Sequence, residues 1–267
     1  MYYSLIKNEL IMRRPTIGNL FICTSNIVVT GNKQSFPEEY KLKSRLNFYS
    51  SLCNSVEINS SFYKVPMQST FQKWCADVPE NFRFSIKLLR EITHVKNLAI
   101  DLKSIDTFLQ AASGINDKKG CLLIQFPGKI TLEYYSQLEQ LLIRLVQTDE
   151  QNKWQPAIEF RNPSWYVSEA YKLLNEYRAT MVVHDMPKAK NYQINEAGAF
   201  VYVRYHGPAG DYKGSYSIDF LQQQYHIING WLNNGKDVYV YFNNTMGNAL
   251  QNALALQRIA VQKAFIK

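Results

Sequence analysis

Residues 55–66 read Ser-Val-Glu-Ile-Asn-Ser-Ser-Phe-Tyr-Lys-Val-Pro and begin with the alternation of a strand. Val56 and Ile58 share one face, Glu57 and Asn59 the other. Side chains along a strand point alternately to its two faces. A carboxylate taken inside a fold is costly unless it has partners. The fold is decided by what Glu57 faces, and by whether other strands supply the same kind of neighbour.

Eight short apolar runs are candidate strands: Leu20 to Thr24, Ser55 to Asn59, Arg83 to Lys87, Cys121 to Gln125, Pro156 to Glu159, Thr180 to His184, Phe200 to Arg204 and Val238 to Phe242. Stretches with helical spacing separate most of them, among them MQSTFQKWCADV, LEYYSQLEQLLIRLVQ and SEAYKLLNEY, and GNALQNALALQRIAVQKAFI closes the chain. After the sixth strand, KAKNYQINEAG is polar and reads as loop. Eight strands alternating with helices in about 250 residues predict a (β/α)8 TIM-type barrel. An open doubly wound sheet would announce a Gly-rich first turn, whereas CTSN follows the first strand. No linker or repeat divides the chain. The expectation is a single barrel domain over residues 18–267 behind a lead-in over residues 1–17.

Strand parity extends the opening pattern. Phe84 and Ile86 alternate with Arg83, Ser85 and Lys87; Ile158 and Phe160 with Ala157, Glu159 and Arg161; Val201 and Val203 with Tyr202, Arg204 and His206. In a barrel the apolar face lies under the helices and the other points inward. The polar residues gather toward the carboxyl ends of their strands, where such barrels carry active sites. Glu57 is therefore expected to face Lys87, Arg161 or Arg204. The inward charged set comprises Arg83, Lys87, Arg161 and Arg204 with Glu57, Glu159 and Asp185. Such a set can hold an anion or neutralise itself as a purely structural network of buried ion pairs; because buried pairs are a poor way to gain stability, the expectation is a functional site.

The 267 residues are 46% hydrophobic, include 18 Tyr and carry a formal net charge of +8. The charge is spread out, with no basic tail. The four cysteines form no CxxC pair, and Cys23, Cys53 and Cys121 read as buried free thiols, as in a reducing cytoplasm. No apolar run reaches the ~20 residues that span a bilayer, and the N-terminal stretch lacks a signal-peptide pattern. The expected location is cytoplasmic, without a membrane partner.

The motifs VEINSSFYKVP, VPENFRFSIKLLREITH, LLIQFP, IEFRNPSW, HDMP, VRYHG and VYVYFNN stand in this order in the chain. In order and spacing the sequence resembles the domain-of-unknown-function-72 family, also called YecE-like proteins, from about Leu20 to the C-terminus. The resemblance implies a (β/α)8 barrel and names no reaction. It implies a polar site at Glu57, Asn59, Tyr63, Lys87, Thr93, His94, Gln125, Glu159, Arg161, Trp165, Asp185, Arg204, His206, Gly207, Asn243 and Asn244. One region departs from the family pattern, a Gly-Thr-Ser-Gly-aromatic turn after the first strand. Thr24 and Ser25 are kept, while Cys23, Asn26 and Ile27 replace the glycines and the aromatic.

Among these residues Glu57, Glu159, His206 and Asp185 are the candidates for catalysis. Two carboxylates in different surroundings can divide acid and base roles; equally, Glu159 can serve to orient Arg161, two residues on. His206 can transfer protons or be held by Asp185. Candidate ligand-binding residues are Asn59, Tyr63, Lys87, His94, Gln125, Arg161, Trp165, Arg204, Asn243 and Asn244. Asn243 and Asn244 end the last strand, a recurrent phosphate position in barrels. Four cations in one mouth would repel a metal ion, so no metal and no cofactor are expected. The expected function is binding of, or acid–base chemistry on, a small anionic, phosphorylated or sugar-like molecule. The alternative is a nucleic-acid-binding or repair-type nuclease barrel, suggested by the basic charge and by Tyr63 and Trp165 as exposed aromatics.

Overall fold

The computed structural model describes residues 17–149 and 153–264, so the expected lead-in lies almost wholly outside the described residues. Among the described residues there are nine strand segments and eight α-helices, largely in alternation. In chain order they are β1 (Leu20–Thr24), α1 (Arg45–Leu52), β2 (Ser55–Ile58), α2 (Gln68–Ala76), β3 (Arg83–Lys87), α3 (Arg90–Thr93), α4 (Leu102–Ala112), β4 (Lys119–Phe126), α5 (Tyr135–Thr148), β5 (Gln155–Phe160), α6 (Ser168–Glu176), β6 (Thr180–Met181), β7 (Val183–His184), β8 (Phe200–Tyr205), α7 (Ile218–Asn233), β9 (Asp237–Phe242) and α8 (Ala249–Ala264).

The fold is α/β, built on parallel sheets. One sheet has the order β1-β9-β8-β7, the other β2-β3-β4-β5-β6, and every ladder within them is parallel. The expected sixth strand, Thr180 to His184, is divided at Val182. The Val182 N–H still donates to the Ile158 carbonyl of β5 (2.9 Å), whereas Val183 and His184 pair with β8. One extended segment thus changes partner midway, which is why nine segments stand where eight strands are expected.

Between β1 and β2 the ladder is reduced to one bridge, Ser25 to Glu57. The Asn54 side chain replaces backbone pairing lower down, accepting from the Ile22 N–H (3.2 Å) and donating to the Leu20 carbonyl (2.8 Å). The structure also joins Cys23 to Cys53 as a disulfide. This corrects the expectation of free thiols at both positions. The two residues are distant in sequence, but Cys53, which ends α1 just before β2, comes within a Cα–Cα distance of 5.7 Å of Cys23 in β1, inside the range a disulfide spans. Cys75 and Cys121 are buried free thiols.

The parity expected from sequence holds. Val56, Ile58, Phe84, Ile86, Ile124, Phe126, Ile158, Val201 and Val203 join the large apolar cluster shared with the helices. A second cluster, drawn from both sheets, contains Phe21, Cys121, Leu123, Ala157, Val182, Phe200, Tyr202, Tyr239 and Tyr241. It lies on the inward faces and forms the floor on which the polar residues of the carboxyl ends rest. Among the described residues no helix is long and apolar enough to cross a membrane.

Candidate functional site

Glu57 faces Arg204. An Arg204 Nη2 donor lies 2.9 Å from Glu57 Oε1, and its Nη1 lies 2.6 Å from Glu159 Oε2. A single guanidinium from β8 therefore bridges carboxylates from β2 and β5, and Arg204 is only 1% exposed. The planar fork of arginine suits this geometry, since its donors address two carboxylates at fixed angles. Further donors complete the set. Ser25 Oγ (2.6 Å) and Asn59 Nδ2 (3.1 Å) donate to Glu57 Oε1, and the Tyr202 hydroxyl donates to Oε2 (2.7 Å). The Arg161 Nε–H donates to Glu159 Oε1 at 2.5 Å.

This environment fixes the protonation states. Burial pushes Glu57 up, but the Arg204 charge and the hydrogen bonds from Ser25, Arg204 and Tyr202 outweigh it, leaving Glu57 below the ordinary carboxylate range. Burial likewise raises Glu159, and the charges of Arg161 and Arg204 carry it well below that range. Arg204 is held protonated by the two glutamates against the effect of burial. Every oxygen of both carboxylates is occupied and both are ionised.

A second chain of contacts holds the end of β8. Gly207 has φ +98°, and a Cβ there would meet the Lys213 carbonyl oxygen at 2.3 Å, so only glycine fits. Its N–H donates to the Tyr216 hydroxyl (2.6 Å), which donates in turn to Asp185 Oδ2. Asp185 Oδ1 accepts from the His206 backbone N–H at 2.7 Å and lies 3.2 Å from Nδ1. The partners assign the tautomer: Nδ1–H faces the carboxylate, and Nε2 accepts from Arg161 Nη2 at 3.1 Å. Burial lowers the His206 pKa despite Asp185, so the ring is neutral at pH 7. Asp185, His206 and Glu159 together aim Arg161.

Lys87 is held differently. Its Nζ donates to Gln125 Oε1 (2.8 Å) and lies 4.1 Å from the centroid of the Phe62 ring. Among the described residues no carboxylate forms an ion pair with it. Burial first, and Arg204 second, lower its pKa to about 8. Beside it, His94 Nδ1 is 2.8 Å from Thr93 Oγ1, and the imidazole meets the Phe62 ring edge-on. Burial, with the positive charges of Lys87, Arg90 and Lys129, lowers His94 to about 4. Tyr63, 69% exposed, stands next to Phe62.

The structure thus brings together most of the residues expected from sequence. Three depart from expectation. Trp165 is fully buried, stacked on Phe160 at 4.2 Å with Nε1 donating to the Ile130 carbonyl (2.9 Å); it is not an exposed aromatic. The turn after β5 folds its ring back onto that strand's outward face. Arg83 starts β3 and so lies at the amino end of the strands, away from the other six charges of the expected set. Asn244 is buried, its amide donating to the Gly214 carbonyl (3.0 Å) and Asn252 Oδ1 (3.1 Å). A Cβ at Gly247 would meet Gly214 oxygen at 2.4 Å, so this stretch ties two loops closely together. Asn243 is buried beside it.

Sequence reading did not single out Tyr202, Tyr216, Tyr166 or His184. Tyr202 was legible by parity, two residues before Arg204. His184 was not, because its role depends on a loop. The Met186 N–H donates to its Nδ1 (3.3 Å), so Nε2 carries the proton and lies 3.2 Å from the Phe160 carbonyl and 3.1 Å from the Tyr166 hydroxyl. Burial lowers its pKa to about 4.

The altered first loop has a geometric explanation. Asn26 stands where the family carries glycine and adopts φ +63°, a conformation that asparagine tolerates better than most residues. Its N–H donates to the Glu57 carbonyl (2.7 Å), and its Oδ1 accepts from the Asn59 N–H (3.1 Å). Asn26 thereby fastens the loop to the strand that carries Glu57. Among the described residues no group of three His, Cys, Asp or Glu side chains is placed to hold a metal ion.

Comparison with known proteins agrees with this architecture. The UPF0759 protein YunF of Bacillus subtilis is 25% identical over 245 residues, covering 79% of this chain and 84% of that one. A crystal structure of a DUF72 family protein from Enterococcus faecalis superposes with a TM-score of 0.75 at 22% identity, covering 90% of this chain and 94% of the other. One from Thermotoga maritima gives 0.70 at 21%, covering 91% and 99%. A sugar phosphate isomerase/epimerase from Parabacteroides distasonis shares the fold more loosely, with a TM-score of 0.51 at 12% identity, covering 91% and 94%. The family model described as "Protein of unknown function DUF72" matches residues 29–265, and the chain belongs to that family.

Proposed function

We propose that the carboxyl ends of the strands form a binding site for a small anionic molecule of the sugar-phosphate type, and that Lys87 and Arg161 hold its negative group. In this reading the two sheets are halves of one eight-stranded (β/α)8 barrel forming a single domain, with the Asn54 and Ser25 contacts sealing the β1–β2 seam. The observation that carries the proposal is the division of charge by depth. Three carboxylates and three cations meet at this end, yet the carboxylates are consumed by Arg204, Arg161, His206 and Tyr216. Lys87 has no carboxylate partner among the described residues, and Arg90 and Lys129 add to the positive field at His94. The loose fold likeness to a sugar phosphate isomerase/epimerase supports the choice of ligand class.

The same geometry sorts the catalytic candidates. A general base works best with a pKa near the operating pH, and Glu57 and Glu159 are locked far below it. His206 has no free nitrogen. Lys87, with a pKa of about 8, is the residue placed to exchange a proton with a bound ligand, and neutral His94 is placed to share a hydrogen bond with it. Arg204, Asp185 and His206 act as positioning residues for Arg161.

A thermal-shift titration with ribose 5-phosphate, glucose 6-phosphate, the parent sugars and inorganic phosphate tests the reading, because a bound ligand stabilises the folded state by mass action. The expected result is a saturable rise in Tm with at least one phosphorylated compound, lost in Lys87→Met. A protein that no phosphorylated compound shifts, and that retards an oligonucleotide in a salt-dependent gel shift, would instead support the nucleic-acid reading.

A further inference from the structure

At the opposite, amino end of the strands the chain builds a polar cavity of about 400 Å³, within the size range of small-molecule sites. Its wall includes Arg83 at the start of β3, Lys119 at the start of β4 and Lys153 just before β5, together with Asn19, Asp237 and Tyr239. The inner cluster of Leu123, Ala157, Val182, Tyr202 and Tyr241 separates it from the polar carboxyl ends.

The charges on this wall are not balanced locally. Asp237, its one carboxylate, accepts both the backbone N–H and the side-chain amide of Asn19 through Oδ1, at 2.7 and 2.9 Å. Lys153 lies 3.3 Å from the exposed Asp117. Lys119 donates to the Asn116 carbonyl (2.9 Å); burial, and then the like charge of Lys153, lower its pKa. Arg83 uses Nη1 for the Glu80 and Phe82 carbonyls, each at 3.0 Å. Its Nε and Nη2 meet no hydrogen-bond partner among the described residues.

The second observation concerns the cavity's floor. Tyr239 is 3% exposed, with its ring stacked on Phe21 at 4.6 Å. Its hydroxyl makes no hydrogen bond to any described residue and, on the cavity wall, keeps access to solvent, where it is free to donate to a bound molecule. An accessible donor beside three cations describes a seat for negative oxygen.

We infer that this cavity is a second binding site, for a small polyanion bearing phosphate or carboxylate groups. Tyr239 donates to it, and Arg83 and Lys119 supply the counter-charge. Calorimetric titration of the full chain with inorganic pyrophosphate and with citrate, at constant ionic strength, tests the inference. The expected result is saturable binding of one or both probes at a single site, unchanged in Lys87→Met. Binding is weakened about tenfold in Tyr239→Phe, the scale of one hydrogen bond to a charged group, and is abolished in the double variant Arg83→Met, Lys119→Met. Tyr239→Phe deletes a single hydroxyl and so keeps the test open if the double variant does not fold. Three results each overturn the inference: no saturable heat with either probe at millimolar concentration, binding that the Tyr239 and Arg83/Lys119 variants leave intact, or binding that Lys87→Met abolishes.

Discussion

Arg204 and Lys87 are both inward-facing cations near the carboxyl ends of parallel strands, yet the fold treats them in opposite ways. Arg204 is sealed in and bridges two glutamates; Lys87 rests on a ring face and a neutral amide. Their pKa values diverge accordingly, Arg204 upward and Lys87 downward. The polar end is therefore layered: a buried ionic clamp that joins β2, β5 and β8, and above it a rim with an uncommitted positive charge. A count of charges along the sequence cannot separate these layers. Removing a residue from each does.

The largest effect is expected at the clamp. Arg204→Met leaves Glu57 buried without a counter-ion and Glu159 with Arg161 alone, and breaking a buried pair in this way typically costs about 3–5 kcal/mol. Urea denaturation measures this as a fall in ΔG of unfolding. The triple variant Glu57→Gln, Glu159→Gln, Arg204→Met removes the stranded charges and should recover most of the loss. If Arg204→Met costs less than about 1 kcal/mol, the cost of a surface pair, the clamp is not the structural layer described above.

Strand parity makes the membership of this polar end legible in the sequence, though not its layers. Glu57, Asn59, Lys87, Glu159, Arg161 and Arg204 were placed on inward faces by alternation alone, because a buried strand has a period of two and one apolar face. Two kinds of information were out of reach. One is depth along the strand: Arg83 obeys the same parity as Lys87 but lies four residues earlier and falls at the other end. The other is pairing across the fold. The Cys23–Cys53 link, the Tyr216–Asp185 contact and the burial of Trp165 depend on how loops return to the strands, and local pattern carries no record of that. Asn26 is an intermediate case. It departs from the family's glycine, but its backbone preference supplies the same turn.

Acid should erode both layers, with a sign fixed by the shifts. His94 and His184, lowered to about 4, and His206, also lowered, stay neutral in the folded chain while the unfolded chain takes up protons near pH 6.5. Unfolding then binds protons, so stability falls as pH drops below about 6.5. The depressed carboxylates Glu57 and Glu159 contribute stability that is complete above the ordinary carboxylate range. That contribution is lost as pH falls through their lowered folded values. Urea midpoints measured from pH 8 to pH 3 should stay level down to about pH 6.5 and decline below it. A flat profile between pH 6.5 and 4 would contradict the neutral, buried histidines.

Glu57→Gln refines this at smaller scale. The amide keeps a carbonyl acceptor for Ser25 but offers Arg204 no charge and presents Tyr202 with a donor. A loss of about 1–3 kcal/mol is expected at pH 7, together with a shallower acid limb below about pH 4.5 because one depressed carboxylate is gone. A variant with wild-type steepness in that range would place the acid sensitivity on Glu159 alone.

The smallest expected effect on stability is the most telling one. Lys87 has its pKa lowered to about 8, so at pH 7 the folded chain carries its charge at a cost the unfolded chain does not bear. The sign follows: between about pH 8 and the ordinary lysine value the unfolded state binds more protons than the folded one, and the penalty fades as pH rises through that range. Replacing the amine by an isosteric apolar chain should therefore leave Tm at pH 7 unchanged or raise it by a few degrees, since a kcal/mol amounts to roughly 2–4 °C in a chain of this size. The same variant should lose the ligand-dependent shift altogether. A residue whose removal stabilises the fold while removing binding is being kept for function at the expense of stability. If Lys87→Met instead destabilised the protein as Arg204→Met does, the rim would be a continuation of the clamp, and the layered reading of this end of the strands would collapse into one structural network.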